Sequence, residues 1–364
     1  MKTATITYHN VYNYGAVLQA YALQQVLQGL SAENVIIDYS HEKSRKFYRM
    51  KGKSIKLWIV NCIRLLETLR DYISISRRCK KFEAFTNTRL HLTRRYNSFK
   101  ELRENPPQAE LYLSGSDQLW NVTTTMKPAF FLDFGNQDTI RASYAVSMGS
   151  CHIPESYQKS MQQLLSRFNA ISVRELDSKT KLEALLNRKD FIKVHLDPVF
   201  LLSREDWSEF AAAKKIKGKY ILCYPMAGHP LMKQALKKLK KLTGYRIVTI
   251  KSEVFTRIKG DTAIKDASPE EFVFLIQNAE YVLTTSFHGT AFSIIFNVKF
   301  FPFLGNAPLR ITSLLKSLGL ENRIVKSTGD INTREIDYTC ANTVIQGEKA
   351  SASSYLSGLL GSKL

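Results

Sequence analysis

The sequence predicts an α/β protein of two doubly wound parallel sheets that face each other across a cleft. Three observations predict it. Strand-like apolar runs alternate with amphipathic helix-like stretches along most of the chain, the pattern of parallel strands joined by crossover helices. The 364 residues exceed what one ordinary core accommodates and suit two such units. A polar, lysine-rich connection over residues 202–217, closed by Gly218, separates two sets of strands. We expect a first unit over residues 1–205 and a second over 206–364.

The first unit opens with a strand at Thr3–Tyr8, a polar turn at His9–Tyr14 and a helix from Gly15 with apolar Val17, Leu18, Tyr21, Ala22, Val26 and Leu30. Strands follow at Val35–Tyr39, Leu111–Leu113, Ala142–Val146, Ala170–Val173 and Ile192–Leu196. A basic helical insertion over about 42–105 interrupts them. The second unit reads as a strand at Lys219–Tyr224, a helix at Leu231–Leu242, and a strand at Tyr245–Ile250. A helix at Pro269–Asn278 is announced by Ser268 with Glu271 three residues on, a capping box. A strand at Glu280–Thr284, a helix from Gly289 and a strand at Val298–Phe303 complete it. In such sheets ligands sit beyond the carboxyl ends of the strands.

Composition narrows the class. With 44% hydrophobic and 23% charged residues the chain is an ordinary globular one, not a disordered one. The first residues run straight into a strand with no leader-like apolar stretch, and the longest apolar run, Ile55–Ile63, is about half a membrane span and holds a lysine. The five cysteines are widely spaced with no CxxC pair, which suits reduced thiols and offers no metal-ligand cluster. A cytoplasmic protein without a resident metal or cofactor is therefore expected. The net charge of +20 is concentrated: residues 42–105 hold 18 Lys/Arg against 6 Asp/Glu. Helical apolar spacing (Leu57, Val60, Ile63, Leu66, Leu69, Ile73) runs through that stretch, so it reads as a packed helix with a cationic outer face. That face is either simply solvated or docks on an anionic membrane or a lipid-linked substrate. No nucleic-acid motif accompanies it, so a nucleic-acid partner is not expected.

Four segments carry residues suited to chemistry. His9, Asn10, Asn13 and Gly15 lie between a strand and a helix start, where backbone N–H groups and side-chain amides suit an anion or a sugar hydroxyl, although a purely structural turn fits equally. Ser116, Asp117 and Trp120 follow a buried strand; Asp117 can accept a proton and Trp120 can stack on a sugar, or the segment is an Asx turn with a core tryptophan. Arg174 ends a strand, where it can fork onto a carboxylate or phosphate, or pair with Glu175 or Asp197. In Thr285-Ser286-Phe287-His288-Gly289-Thr290 an apolar strand stops at a polar turn before an apolar helix. The N–H groups of Gly289 and Thr290 are expected to bind an anion, with His288 beside them to move a proton near neutral pH.

At these segments the chain resembles the polysaccharide pyruvyl transferase family, through "YHNVYNYGAVLQAYALQ", "SGSDQLWN", "ISVRELDS", "LDPVFLL" and "SPEEFVFLIQNAEYVLTTSFHGTAFSIIF". The resemblance implies two Rossmann-like domains in a GT-B-like arrangement. It also implies transfer of pyruvate from phosphoenolpyruvate onto two hydroxyls of a sugar as a cyclic ketal, in bacterial exopolysaccharide, capsule or cell-wall glycan synthesis. The acceptor would be a sugar or lipid-linked oligosaccharide bound on the first domain, at His9, Asn10, Asn13, Gly15, Ser116, Asp117 and Trp120. The donor would lie at Arg174, Ser286, His288, Gly289 and Thr290. Ser286 stands where family members have a donor-binding arginine, so Arg310 or a lysine is expected to replace it. His288 would be the general acid, Arg174 the clamp and Asp117 the base. Two other readings carry different expectations: a glycosyltransferase of the same fold using a nucleotide sugar, and a non-enzymatic basic module binding glycan or membrane.

Overall fold

The computed structural model describes residues 1–39, 62–123, 125–150, 152–251, 258, 260–305 and 308–361. Eleven strands lie among them: β1 (Lys2–Ile6), β2 (Glu33–Ile36), β3 (Leu111–Ser114), β4 (Ile140–Ser143), β5 (Ile171–Val173), β6 (Ile192–Val194), β7 (Tyr220–Tyr224), β8 (Arg246–Ile250), β9 (Thr262–Ile264), β10 (Tyr281–Thr284) and β11 (Lys299–Pro302). The helices are α1 (Tyr14–Gly29), α2 (Cys62–Arg89), α3 (Phe99–Glu104), α4 (Glu155–Leu165), α5 (Leu176–Leu186), α6 (Arg204–Phe210), α7 (Met232–Thr243), α8 (Pro269–Gln277), α9 (Phe287–Ile295), α10 (Pro308–Ser317) and α11 (Thr339–Gly361).

The first lobe orders its strands β2-β1-β3-β4, all parallel, and the parallel pair β5-β6 continues the sheet through bridges Ala142–Ala170 and Val146–Val173. The second lobe orders β11-β10-β7-β8-β9, again all parallel. This is the doubly wound α/β architecture expected from the alternation of apolar runs. Strand cores such as Leu111, Leu113, Ile221, Leu222, Val282 and Leu283 are fully buried, because helices cover both faces of a parallel sheet. Register aligns the carboxyl ends: Ile6 pairs with Ser114 and Ser114 with Ser143 in one lobe, Thr284 with Tyr224 and Pro302 in the other.

The lobes meet at the first turn of α1. The Tyr14 ring stacks on Phe272 of α8 at 4.4 Å between centroids, and its hydroxyl donates to the Ala267 carbonyl at 3.0 Å. Two basic residues of α2 reinforce the junction. Lys81 pairs with Glu271 at 2.7 Å and Arg78 donates to the Lys251 carbonyl at 2.8 Å, so part of that cationic face is spent on internal contacts. Leu57 and Val60 of the apolar stripe expected there lie outside the described residues, and Ile73, expected in the packed face, is 48% exposed instead. At the other end of the chain, α11 returns to the first lobe. Its Ala352, Leu356 and Leu359 pack with Leu23, Leu111 and Leu113, and the Tyr355 hydroxyl donates to the Ser143 carbonyl at 2.9 Å. We propose a border between the lobes near residue 205, with α11 counted to the first. Among the described residues no helix is long and apolar enough to cross a membrane.

Candidate functional site

The carboxyl ends of β3, β5 and β6 face the start of α9, and side chains from both lobes converge there. Asp197, just beyond β6, is the centre. It is 1% exposed, and its Oδ2 accepts from Arg174 NH1 at 2.7 Å and from the Ser116 hydroxyl at 3.1 Å, with His288 Nε2 at 3.6 Å. Its Oδ1 accepts the Val199 N–H at 3.2 Å. Burial alone would raise this carboxyl, but the His288 ring and the Arg174 guanidinium hold it well below the ordinary 3.8.

Arg174 is buried too, at 7% exposed. Besides Asp197 it donates to Glu175 at 3.1 Å, and its guanidinium lies 4.2 Å from the centroid of the Phe287 ring. Burial opposes its charge, and Glu175, Asp197 and Asp117 more than restore it. Arg174 therefore makes both of the ion pairs weighed as alternatives to a substrate clamp, and it is not a free one. One nitrogen, NH2, has no partner among the described residues. Arg310 stands beside it. Burial first, and then the Arg174 charge, make Arg310 hold its proton less firmly, and its Nε is unpaired. With its amide oxygen turned toward α10, Gln118 accepts from both terminal nitrogens of Arg310 at 3.0 Å. Two neighbouring guanidiniums with unsatisfied buried donors are disfavoured unless an anion joins them. A cavity of about 460 Å³ opens at this place, walled by Arg174, Asp197, Phe287, Arg310, His195 and Lys316.

His288 is 6% exposed and does not line that cavity. Its ring fills the space over Gly15, where an added Cβ would come within 1.9 Å of Nδ1. Among the described residues its Nε2 has no hydrogen-bond partner, and Asp197 Oδ2 lies 3.6 Å from it. Asp117 is half-buried in the left-handed region at φ 78°, a conformation that costs a non-glycine residue about 1–3 kcal/mol and collects at working sites. Its Oδ1 accepts the Gln118 N–H at 2.8 Å, and its charge reaches Arg174 and Arg310.

Several expected ligand contacts are corrected by what these side chains already do. α9 begins at Phe287, not Gly289. Ser286 is its N-cap and accepts the Gly289 N–H at 3.2 Å, while the Thr290 N–H donates to the Ser286 carbonyl at 3.0 Å. The Gly289 and Thr290 donors are thus spent within the helix, as is the Ser286 hydroxyl, and cannot cradle a phosphate. Trp120 is fully buried, stacks on Phe131 at 5.5 Å and donates to the Phe130 carbonyl at 3.0 Å, so it is core and not a sugar platform. Ser116 shares its one hydroxyl proton between the Ala145 carbonyl at 2.8 Å and Asp197 at 3.1 Å, so it braces the site from within. His9 is 1% exposed, held by the Thr7 carbonyl at 3.0 Å and by Asp38 at 3.2 Å, and Asn10 donates to the same Asp38 oxygen at 3.4 Å. Asn13 caps α1 by accepting the Ala16 N–H at 3.2 Å. Gly15 leaves room for His288.

Asp197 and Phe287 are the candidate site residues that the sequence reading passed over. Asp197 entered it only as an ion-pair partner of Arg174, although an aspartate at a strand's carboxyl end directly before proline occupies a ligand-facing position.

His195, on the cavity wall, titrates out of the ordinary. Its ring sits 2.8 Å from the Ser172 hydroxyl and stacks on Tyr144 at 5.6 Å. Burial, and secondarily Lys193, lower its pKa from 6.5 to about 4. The unfolded chain therefore takes up a proton between those values and the folded chain does not, so stability rises with pH across that window and is lost as pH falls through it. The expected loss is on the order of 3 kcal/mol between pH 7 and pH 4. Urea titrations at several pH values check this, and His195→Gln should flatten the dependence.

Comparison with known proteins agrees with this architecture. The chain superposes on UDP-N-acetylglucosamine 2-epimerase from Rickettsia bellii with a TM-score of 0.53, 10% identity and 98% of each chain covered. It superposes on the Methanocaldococcus jannaschii UDP-GlcNAc 2-epimerase, in complex with UDP-GlcNAc and UDP, with a TM-score of 0.51, 12% identity and 99% of each chain covered. At that identity the likeness is one of fold, the GT-B-like pair of α/β domains. No curated protein matches the sequence. The family model described as polysaccharide pyruvyl transferase matches residues 13–306, a span that contains Asp117, Arg174, Asp197 and His288. The chain belongs to the polysaccharide pyruvyl transferase family.

Proposed function

We propose that the protein transfers pyruvate from phosphoenolpyruvate to two hydroxyls of a sugar as a cyclic ketal, in bacterial surface-glycan synthesis. The observation that carries the reading is the cationic wall of the cavity: Arg174 and Arg310 each keep a buried N–H with no partner among the described residues, suited to a small ligand with a phosphate and a carboxylate. Arg310, from α10, takes the place of the arginine that the family's pattern has at Ser286. In the reaction a proton adds to the methylene carbon of the donor and a sugar hydroxyl oxygen bonds to the adjacent carbon. Inorganic phosphate leaves with the C–O bond's electron pair, a second hydroxyl closes the ring on the same carbon, and the departing phosphate takes up that hydroxyl's proton. We assign His288 as the acid and Asp117 as the base for the sugar hydroxyl. The His288 ring is set back from the cavity behind Phe287, so that side chain swings aside during turnover while His288 keeps its place against Asp197.

The acceptor is a sugar or lipid-linked oligosaccharide on the first lobe, and the enzyme works at the cytoplasmic membrane face. Exposed Tyr72 and Ile73 lie on α2 close to exposed Arg77 and Lys80, which suits an anionic surface. The direct test mixes purified protein with phosphoenolpyruvate and a panel of galactose-, glucose-, mannose- and N-acetylmannosamine-containing acceptors. Phosphate release that depends on acceptor supports the reading. No release with any acceptor, together with turnover of a nucleotide sugar, sinks it.

Arg310 and Arg174 should respond differently. Arg310→Ala removes a charge held mainly by Gln118, and is expected to raise the donor KM about 10- to 100-fold, the loss of one charge-assisted contact, with folding little changed. Arg174→Ala instead leaves Asp197 and Glu175 buried without their cation, and should destabilise the fold by about 3–5 kcal/mol. Donor-saturation curves and thermal melts of the two variants separate these outcomes.

A further inference from the structure

We propose that Asp197 is a positioning residue: its carboxylate holds the Nε2–H of His288 and ties that ring to Arg174 at the cavity wall. The idea rests on the reading above in assigning His288 a proton to deliver. Its own grounds are geometric.

Asp197 is the polar group that both lines the cavity and faces His288, since the ring itself is set back from the cavity. The carboxylate cannot easily move. Oδ2 is fixed by Ser116 and Arg174, and Oδ1 by the Val199 N–H. Residues 198–200 behind it form a buried 3-10 turn, anchored where Trp207 Nε1 donates to the Val199 carbonyl at 2.8 Å. The ring is fixed from the other side, because Nδ1 and its neighbours press on the Cα of Gly15. A neutral ring with its hydrogen on Nδ1 would turn the Nε2 lone pair toward an anion at 3.6 Å. A hydrogen on Nε2 instead gives a buried orphan atom its partner. The 3.6 Å separation is longer than a hydrogen bond, as such contacts often are before substrate tightens them. A carboxylate that also anchors Arg174 would thus keep the hydrogen on Nε2, leave Nδ1 as the nitrogen that takes up and delivers the second proton, and set ring and anion-binding wall in one geometry.

The test uses the full-length, ligand-free protein labelled with 15N-histidine, with His288→Gln identifying the His288 signals. At neutral pH the wild-type ring should carry its hydrogen on Nε2 by at least about tenfold over Nδ1, and Asp197→Asn should erase most of that preference. In the kinetic cycle, Asp197→Asn should lower kcat roughly 10- to 100-fold in the wild type. Added to His288→Gln, it should cost less than about threefold, because it acts through a ring already gone. A wild-type ring with its hydrogen on Nδ1 overturns the proposal, and needs no variant to fold. An unchanged tautomer in Asp197→Asn, or rate losses that simply multiply, overturns it too. If the tautomer responds but phosphoenolpyruvate is turned over with no acceptor, the positioning role stands and pyruvyl transfer falls.

Discussion

His288→Gln is expected to lower kcat for acceptor-dependent phosphate release by about 10²- to 10⁴-fold while the protein stays folded. Loss of a positioned general acid has that magnitude. Folding should be nearly unaffected, because Nε2 has no hydrogen-bond partner among the described residues, and glutamine occupies much of the ring's volume. The ring has three neighbours of consequence. Gly15 lies beneath it, the Phe287 ring meets it edge-on at 5.1 Å, and Asp197 faces Nε2. Gly15 and Phe287 carry no acidic proton, and with the ring gone Arg174, Ser116 and the Val199 N–H still favour the ionised form of the Asp197 carboxyl. Circular dichroism, melting temperature and kcat measured on one preparation decide the matter. A variant within tenfold of the wild-type rate would remove His288 from the mechanism and leave it a packing role against Gly15.

The fold was legible because its signals are local. Apolar runs such as Tyr220–Tyr224 and Tyr281–Thr284 are long enough to read as buried strands, and the Ser268/Glu271 capping box marks the start of α8 within the sequence itself. The C-terminal helix was not legible. Its buried face consists of Ala341, Ile345, Ala352, Leu356 and Leu359 amid serines and glycines, and what makes it helical is packing: Ala341 and Ile345 in a cluster with Leu314 and Tyr338, the other three against the first lobe, far away in sequence. The same division runs through the site. Arg174 and His288 could be found because strand ends and helix starts are local features. Trp120 was misread since nothing local says that its indole N–H is answered by Phe130 ten residues on. The Gly289 and Thr290 donors were misread because a helix N-terminus looks open until its cap is identified, and Ser286 supplies that cap. Asp197 is the most instructive case. Its partners Ser116, Arg174 and His288 are spread over both lobes, and only folding makes that carboxylate the hub.

Gly15→Ala tests that hub from the opposite side, and its expected sign runs against ordinary helix chemistry. In a helix, alanine normally stabilises relative to glycine by about 0.5–1 kcal/mol. Gly15 occupies the first turn of α1, yet an added Cβ would lie 1.9 Å from His288 Nδ1, 2.3 Å from Cγ and 2.5 Å from Cε1. No rigid ring tolerates that, so either α1 or His288 must move. α1 is the less free of the two, since Asn13 caps it and Tyr14 is stacked on Phe272 and bonded to the Ala267 carbonyl across the lobe junction. The ring therefore leaves its place opposite Asp197. A displacement of about 1 Å at a reacting group is enough for a roughly 100-fold rate loss, so kcat should fall at least that far. Stability should fall as well, by about 1–3 kcal/mol, the usual cost of overpacking a filled site. Deleting the ring separates this steric cause from any intrinsic effect on α1. In a His288→Ala background, Gly15→Ala should cost little stability or become mildly stabilising, because the space it needs is empty. An active Gly15→Ala enzyme with a raised melting temperature would show that the close approach of α1 to His288 does not exist in solution, and with it would go the geometry on which the assignments of both His288 and Asp197 depend.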